Sequence, residues 1–412
     1  MRWRVGLLVV LLSACTPGTS PDARSPSVAS SRHADLDGFV RAVEILHPEP
    51  FGAIDERRWR ADVAQVRRRA AAMTEDEFLV AVARLAVLGD RNGHGGVFPT
   101  DQPRLSMWPL RLYEFPDGWR VVDATDPALV GSLLEDVGGR PIEQVTAALE
   151  PIVSYDNEQT ERARLGTYLV VPAFLRGLGV YGDGSLTLVG TDGKRRTVPA
   201  PDPVPVARFI ALTGLTVPQI PVTLPAVGSP PPDPYFWWRR QGDALVVGFE
   251  RVVARSPGGV GMEAFVRELK SQVRKRRPAV LVVDARRNPG GENESGDPLM
   301  AFLREVAADE RTSVRVLIGR GTYSAAALLL AELDTQVPVT FVGEATGGGS
   351  GTFGNPQSHR LRGAGIVVQI PGRWFSRLDD DIASIEPDRP AETTWSAFAA
   401  GDDPVLDAAL AR

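Results

Sequence analysis

From about residue 243 to the end of the chain, short apolar runs alternate with amphipathic stretches, and this alternation strongly constrains the fold. The apolar runs cover residues 245–249, 279–284, 314–318, 339–342 and 366–370, and the helical stretches cover 261–276, 297–308 and 325–333. Apolar residues follow one another within each run, so both faces of each strand must be buried. The sequence therefore predicts an α/β domain over 243–412, with a largely parallel sheet covered by helices on both faces.

Two turns follow consecutive predicted strands and lie where such sheets bind ligands, beyond the carboxyl ends of the strands. The first covers residues 284–291 and the second 319–324. Ser324 closes the second turn, directly before a helix whose free N–H groups and dipole favour a developing negative charge. This position suits a nucleophile whose reaction passes through an oxyanion. It also suits an ordinary helix cap, because serine is a preferred capping residue.

The N-terminus has the three parts of a secretory signal peptide: a cationic start, an apolar run over 5–12 and small residues before Cys15. The run is too short to span a bilayer stably. Leu-Ser-Ala-Cys resembles the bacterial lipobox, and Cys15 is the one cysteine of the chain. We therefore expect a lipoprotein signal peptide over 1–14 and lipidation of Cys15, which anchors a protein without spanning the membrane. By resemblance to Gram-negative lipoproteins, Thr16 points to the outer membrane, facing the periplasm.

Four further segments precede the sheet domain. Residues 15–32 are rich in Ser and Pro and predict a flexible tether. Apolar stripes at helical spacing predict an N-terminal helical region over 33–99. Short strands and hairpin turns over 100–223 predict a small mixed α/β module that resembles a PDZ domain. Residues 224–242 are rich in Pro and then aromatic, and predict a linker whose aromatic residues form a seam between domains or wall a substrate groove.

His94 lies among glycines in the turn after the third predicted helix, where another part of the chain can approach it closely. An exposed loop histidine is the alternative. The formal net charge of −5 and the pI near 5.6 give no support for nucleic-acid binding. Four scattered histidines and one cysteine provide no cluster of metal ligands. We expect neither a metal nor a cofactor.

Several motifs, taken together, resemble those of the S41 peptidases, which include the C-terminal processing proteases and the tricorn core proteases. Six patterns of the family occur in this chain. Three surround the proposed nucleophile: Asp-x-Arg-x-Asn-x-Gly-Gly over 284–291, Thr-x-Ser-Ala over 322–325 and Val-Gly-Glu-x-Thr-Gly-Gly over 342–348. The other three are a late Pro-Asp at 387–388, Gly-x-Asp-Pro-Val-Leu over 401–406 and His-Pro-x-Pro-Phe over 47–51. The resemblance covers nearly everything from residue 34 onward. It implies a ClpP/crotonase-like α/β domain and hydrolysis of peptide bonds.

The positions of the lysines indicate which branch of the family this sequence resembles. The processing proteases use a Ser/Lys dyad, with the lysine downstream of the serine. Here Gly349 stands at the aligned position, and no lysine occurs after Lys275. The resemblance therefore points to the tricorn-like branch, which uses a histidine from the earlier helical region, and His94 fits that place.

The implied reaction is acyl transfer. His94 would take the proton from Ser324, which would attack a peptide carbonyl. Backbone N–H groups of Gly290 (or Gly291) and Ala325 would hold the oxyanion. No cofactor enters this scheme.

The acid that orients the histidine is less well defined. By its motif position before the late Pro-Asp, the resemblance implies Asp381, with Asp379 and Asp380 as neighbours. A solvated acidic loop is the alternative for all three. His359 and His47 compete with His94 as bases, although His47 precedes a proline and is expected to be structural.

Two functions from different classes fit these features. One is a lipid-anchored serine peptidase that acts on peptides or unfolded protein tails in the cell envelope. The other is a non-catalytic binding lipoprotein on the same fold, which also serves retinoid binding in the interphotoreceptor retinoid-binding protein. A large separation between the Ser324 and His94 side chains would favour the binding protein.

Overall fold

The computed structural model describes residues 27–213 and 232–411. The expected signal peptide, Cys15 and most of the expected tether lie outside these residues. Within them, no helix is both long and apolar enough to cross a membrane. The architecture is mixed α/β, with helices and several sheets.

Three helices open the described chain: α1 (Val28–Leu46), α2 (Glu56–Arg69) and α3 (Glu75–Leu85). α1 begins inside the segment predicted to be a tether, because Ser27 caps it by accepting a hydrogen bond from the Ser30 N–H at 3.2 Å. Arg32 also fixes this start, since its guanidinium donates to the Ala70 carbonyl at 2.7 Å. Residues 28–32 are therefore helical, which corrects the predicted tether boundary.

A mixed module follows, built around an antiparallel sheet. Its elements are β1 (Ser106–Met107), β2 (Leu110–Phe115), β3 (Gly118–Ala124), β4 (Leu133–Val137), β5 (Arg140–Pro141), α4 (Ile142–Leu149), α5 (Glu158–Leu169), α6 (Pro172–Gly177), β6 (Ser185–Val189), β7 (Arg195–Pro199), β8 (Val204–Pro205) and α7 (Val206–Thr213). The sheet order is β2-β3-β4-β6-β7, with β5 paired to β4. This module shares one hydrophobic core with α1–α3. The likeness of the module to a PDZ domain stays a prediction.

The third region contains the predicted parallel sheet. Its elements are β9 (Phe236–Gln241), β10 (Ala244–Phe249), α8 (Met262–Lys275), β11 (Val280–Asp284), α9 (Asp297–Ala307), β12 (Ser313–Ile318), α10 (Ala325–Gln336), β13 (Thr340–Gly343), β14 (Gly351–Leu361), β15 (Ile366–Ser376), β16 (Arg389–Pro390), α11 (Trp395–Ala400) and α12 (Pro404–Leu410). The sheet order is β16-β13-β12-β11-β10-β9. All neighbouring pairs are parallel except β9–β10.

Both faces of this sheet are buried, as the unbroken apolar runs predicted. Leu245 and Val247 of β10 pack on the face covered by α8, α9 and α10. Val246, from the same strand, packs on the opposite face with Val405 and Leu406 of α12. Successive residues of one strand therefore enter different cores, which explains why no polar residue interrupts the run.

Two predicted elements differ from the structure. Residues 236–241, predicted as part of a linker, form the edge strand β9, and its Trp237 and Trp238 pack beside the opposite cores of the sheet. Residues 366–370 were predicted as a strand of the parallel sheet. They belong instead to β15, which pairs with β14 in a separate two-stranded hairpin.

The β14–β15 hairpin connects the two parts of the molecule. Its far end contributes Leu361, Ile366 and Val368 to the core shared by α1–α3 and the mixed module. Its near end starts at Gly351, close to the sheet domain. The hairpin therefore holds the histidine-bearing region against the domain that carries Ser324.

Candidate active site

Ser324 occupies a strained position between β12 and α10. Its φ of 52° and ψ of −130° lie in a region that side-chain-bearing residues rarely adopt. The Ser324 side chain makes no capping hydrogen bond to α10, so the helix-cap interpretation is wrong. A sharp strand-to-helix turn of this kind exposes a nucleophile above the sheet.

The neighbouring turn holds the serine turn in place. The Thr322 hydroxyl donates to the Ala285 carbonyl at 2.8 Å, and the Tyr323 N–H donates to the Asn288 carbonyl at 3.0 Å. The fully buried Asn288 side chain in turn donates to the Phe249 carbonyl at 2.8 Å. The motif residues of 284–291 thus fix the backbone around Ser324.

Buried charges of this turn are paired with one another. Arg286 bridges Asp284 at 2.7 Å and Asp403 at 2.8 Å. Burial raises the pKa of Asp284, but Arg286 and Arg287 outweigh it and hold that pKa well below its usual range. A paired, fully ionised cluster is suited to holding the turn and leaves no proton to exchange near neutral pH.

Two backbone N–H groups of this region are candidates to bind an oxyanion. Gly291 and Ala325 line the same cleft as Ser324, and neither N–H donates to another described residue. The Gly290 N–H donates to the Asn288 side-chain oxygen at 3.0 Å. Of the two glycines considered from the sequence, the structure therefore leaves Gly291 available. Gly290 is needed for space, since an added Cβ would lie 2.8 Å from the Ser324 Cβ.

His94 meets Ser324 directly: its Nε2 lies 3.0 Å from the Ser324 Oγ. The glycine beside it permits this approach, because a Cβ on Gly93 would lie 2.4 Å from the Tyr323 Oη. The Gly93 N–H donates to the Asp156 carboxylate at 2.6 Å and anchors the loop. The expectation that this glycine-rich turn lets another part of the chain come close agrees with the geometry.

The other ring nitrogen of His94 faces hydroxyl groups. Its Nδ1 lies 3.1 Å from the Tyr323 Oη and 3.4 Å from the Thr352 Oγ1. Tyr323 stacks on the imidazole with ring centroids 4.9 Å apart. The Thr352 hydroxyl donates to the Asp156 carboxylate at 2.7 Å. The buried Asp156 is thus linked to the imidazole through the Thr352 hydroxyl.

His94 is neutral at neutral pH in this environment. Burial lowers the pKa of His94 to about 4, with Asp156 acting in the opposite direction and Arg164 in the same direction as burial. With Nε2 free to accept from Ser324, Nδ1 carries the proton and donates to Tyr323. Tyr323 in turn remains protonated, because burial and Asp156 raise its pKa well above the usual range.

Asp381 is not beside the histidine. Its half-exposed carboxylate pairs with Arg91 at 3.1 Å, and the Arg91 guanidinium also donates to the Ile382 carbonyl at 2.9 Å. Asp379 and Asp380 are likewise on this loop and have no hydrogen bond to His94. Arg91, from the same loop as His94, thus holds the acidic loop. The acid whose charge acts on the pKa of His94 is Asp156.

The two competing histidines lie in other contacts. His47 is buried, with its Nε2 3.2 Å from the Asn92 side-chain oxygen and its Nδ1 accepting from the Glu49 N–H at 3.1 Å. His359 lies against α1, where a Cβ on Gly38 would approach its ring at 3.4 Å. Neither contacts Ser324, so the structure brings only His94 to the serine among the three.

Sequence patterns gave no signal for several groups around His94. Asp156 lies in an irregular stretch before α5, and no motif marks it. Tyr323 fills the unspecified position of Thr-x-Ser-Ala, directly before Ser324. Thr352 begins a hairpin that was not predicted. Only the motif position of Tyr323 placed it near the site in advance.

An open cleft of about 440 Å³ gives access to the serine. Its walls come from both parts of the molecule and include His94, Arg251, Gly291, Ser324, Leu328 and Phe375. Among the described residues, no group of His, Cys, Asp and Glu side chains is arranged to hold a metal ion. This volume lies within the range of about 300–1,000 Å³ that is typical of ligand-binding clefts.

Comparison with solved structures identifies the fold. Mature CPAF complexed with lactacystin aligns over 91% of this chain and 96% of its own, at 15% sequence identity and a TM-score of 0.62. A second structure of mature CPAF aligns over 91% of this chain and 95% of its own, at 14% identity and a TM-score of 0.61. No protein-family model and no curated protein matches the sequence. These likenesses confirm the predicted mixed α/β fold and show that mature CPAF shares it.

Proposed function

We propose that this protein is a serine peptidase that hydrolyses peptide bonds through an acyl-enzyme formed on Ser324, with His94 as the base. The observation that carries the proposal is the contact of 3.0 Å between the His94 Nε2 and the Ser324 Oγ. The strained backbone of Ser324 supports it, because such strain concentrates at functional positions. The resemblance of the sequence motifs to those of the S41 peptidases gives the proposal its reaction class.

In the first half of the reaction, the Ser324 Oγ attacks the carbonyl carbon of the scissile peptide bond. Its proton passes to the His94 Nε2, and the carbonyl oxygen becomes an oxyanion. The N–H groups of Gly291 and Ala325 receive this charge, with Ala325 at the positive end of α10. The imidazolium then protonates the leaving amine, the C–N bond breaks, and the acyl-enzyme remains.

In the second half, water replaces the amine. His94 takes a proton from the water as its oxygen attacks the ester carbonyl, and the returning proton releases Ser324. Asp156 stabilises the transient imidazolium by its charge, and the Tyr323 hydroxyl accepts from Nδ1. Thr352 contributes a second, longer contact to the same nitrogen. Tyr323 and Thr352 are positioning residues in this scheme.

Labelling with an uncharged alkyl fluorophosphonate tests the reaction. The full chain should be labelled as wild type and unlabelled as Ser324→Ala. His94→Ala should label at least about 10²-fold more slowly, the usual contribution of a positioned base. His359→Ala is the matched control and should label like wild type. If a wild type that melts cooperatively takes no label at all, the peptidase proposal fails.

The binding-protein alternative has lost the observation that would favour it. That alternative called for Ser324 and His94 side chains far apart, and they lie within hydrogen-bond distance. The neutral state of His94 is also the state that a base needs. We therefore put forward the peptidase alone.

We also propose that the chain is anchored in the cell envelope through lipid on Cys15. The support is the sequence of residues 1–15, with its cationic start, apolar run and terminal Leu-Ser-Ala-Cys. The test is partition of the full chain, expressed in a Gram-negative host, between detergent and aqueous phases. The wild type should enter the detergent phase and Cys15→Ser should not. Equal partition of both would contradict the anchor.

A further inference from the structure

One cation of the active-site cleft lacks a counter-charge. Arg251 lines the cleft together with Ser324 and Gly291, and it makes no hydrogen bond or ion pair with another described residue. Arg286 and Arg287, from the neighbouring turn, differ in this respect, because both are paired with carboxylates. A cation that is partly removed from water gains most when an anion supplies the missing charge.

The backbone places Arg251 beside the turn that carries the candidate oxyanion-binding group of Gly291. The Val252 N–H donates to the Gly290 carbonyl at 3.1 Å, and the Glu292 N–H donates to the Val252 carbonyl at 2.7 Å. Residues 250–252 therefore run alongside the turn whose Gly291 N–H faces the oxyanion. The Val252 side chain is fully buried, so the preceding side chain, on the other side of the extended backbone, is the one that reaches the cleft.

The remaining charges of the cleft are more exposed to water. Arg373 packs over the Phe375 ring at 4.8 Å and is exposed. Glu292 and Glu294 are also exposed, and Glu292 accepts a hydrogen bond from the Ser295 hydroxyl at 2.9 Å. Arg251 is only partly exposed, and burial lowers the pKa of its guanidinium. Of these four charges, Arg251 therefore has the most to gain from a bound counter-ion.

We infer that Arg251 binds a carboxylate of the substrate next to the scissile bond. The proposed peptidase would then favour peptides with Asp or Glu at this position, or with a free C-terminal carboxylate within reach of Arg251. The inference rests on the proposed function of the cleft as a peptide site, and it names the charge that this site selects. A planar guanidinium suits a carboxylate because it can donate two parallel hydrogen bonds.

Matched peptide pairs test this selection without requiring hydrolysis. Fluorescent peptides that differ only by Glu or Gln at one position, each with a free or an amidated C-terminus, are titrated into the full-chain Ser324→Ala variant. We expect one Glu peptide to bind about tenfold to a hundredfold more tightly than its Gln partner, as for a hydrogen-bonded charge pair. If only the free-terminus peptides bind tightly, the carboxylate is that of the chain end.

Repeating the titration with a second substitution in the Ser324→Ala variant shows which residue causes the preference for the Glu peptide. Arg251→Gln should abolish the discrimination, and Arg251→Glu should reverse it in favour of a Lys peptide. Arg239→Gln, at an exposed arginine of β9 outside the cleft, should leave it unchanged. Thermal unfolding confirms that each variant is folded. Equal binding of Glu and Gln peptides, or discrimination that survives Arg251→Gln, overturns the inference.

The failure of this inference can be told apart from failure of the proposed function. If the uncharged fluorophosphonate labels the wild type but the peptide pairs show no charge preference, the peptidase stands and the carboxylate subsite does not. If charge-dependent binding is present and labelling is absent, Arg251 binds carboxylates in a protein that is not a peptidase. Labelling therefore tests the peptidase reaction, and the peptide titration tests the carboxylate preference of Arg251.

Discussion

The two halves of the candidate site are built in different ways. Ser324 belongs to a local unit: two neighbouring strands of one sheet, their turns and the helix that follows. His94 depends on groups far apart in sequence, since Asp156 contacts Gly93 across 63 residues and Thr352 lies 258 residues from His94. The nucleophile is thus fixed by local backbone geometry, whereas the base is fixed by tertiary packing. This difference predicts that the histidine half is the easier half to disrupt without unfolding the sheet.

Among the substitutions that test this difference, removing the charge of Asp156 should lower the reaction rate most. In Asp156→Asn, no carboxylate remains to stabilise the imidazolium, so kcat/KM and the rate of fluorophosphonate labelling should fall by about 10²- to 10³-fold. Because Asp156 raises the pKa of His94, that pKa should also fall further. The rate is measured with the full chain near neutral pH, alongside circular dichroism.

Asp381→Asn is the matched control, since Asp381 was the acid expected from the motifs. Its carboxylate pairs with Arg91 at a half-exposed position, and exposed pairs contribute little. We expect labelling within about twofold of wild type. A large loss in Asp381→Asn together with an active Asp156→Asn would contradict the assignment of Asp156.

Filling the space at Gly93 should be the next most harmful change. A Cβ there would lie 2.4 Å from the Tyr323 Oη and 2.8 Å from the Asp156 carboxylate. The histidine loop must then move, and a displacement of about 1 Å costs about 10²-fold in rate. Gly261→Ala is the control, because its nearest neighbour would be 3.8 Å away. Normal labelling of Gly93→Ala would show that the loop tolerates a shift and that the contact of His94 with Ser324 re-forms.

The acid limb of the pH profile should report the environment of His94. Only the neutral imidazole accepts the serine proton, so labelling should persist to about pH 4, the pKa of His94. Below it, the rate should fall about tenfold per pH unit. If the base were an exposed histidine, the rate of labelling would begin to fall near pH 6.5. A midpoint of labelling near 6.5 in the folded protein would contradict the buried, neutral histidine.

The same lowered pKa affects stability, with a defined sign. The unfolded chain binds a proton near pH 6.5, whereas folded His94 does so only near pH 4. The unfolded state therefore binds more protons in this window, and stability declines as the pH falls through it. Circular dichroism at each pH separates loss of fold from protonation of the base.

Deleting one hydroxyl should have the smallest effect. Tyr323→Phe keeps the ring stacked on His94 but removes the acceptor at 3.1 Å from Nδ1. One neutral hydrogen bond corresponds to a loss of up to about tenfold in kcat. Thr352→Val removes the longer contact, and we expect it to cost less than Tyr323→Phe. A larger loss in Thr352→Val would mean that threonine, rather than tyrosine, positions the imidazole.

Much of the fold follows from local sequence pattern. The helix predicted over 325–333 is α10 (Ala325–Gln336), and four predicted strands of the sheet are present as β10 to β13. The failures are physical in origin. β15 has the same apolar run as a sheet strand, but its partner β14 is largely polar, so periodicity did not reveal the pair. β9 follows a Pro-rich segment, and its six residues were grouped with it.

The residues of the site also fall into those that local sequence patterns predict and those that depend on tertiary packing. Ser324 and the glycines of 284–291 could be placed from sequence because the chemistry needs them at fixed positions in consecutive turns. His94 was identified by its glycine-rich turn and by the resemblance. Asp156 could not be found this way, because a single aspartate in an irregular segment has no pattern of its own. Its role depends on which distant segments pack together, and that is decided by the β14–β15 hairpin.

The separation of Ser324 and His94 by 230 residues determines when the candidate site can form during synthesis. During synthesis, the histidine region emerges first and the serine much later, so no partial chain contains a complete site. In the finished chain, the contact between the two side chains also needs the β14–β15 hairpin, which packs against the core of the histidine-bearing region. A peptidase of the proposed kind would therefore become active only after its own chain has folded.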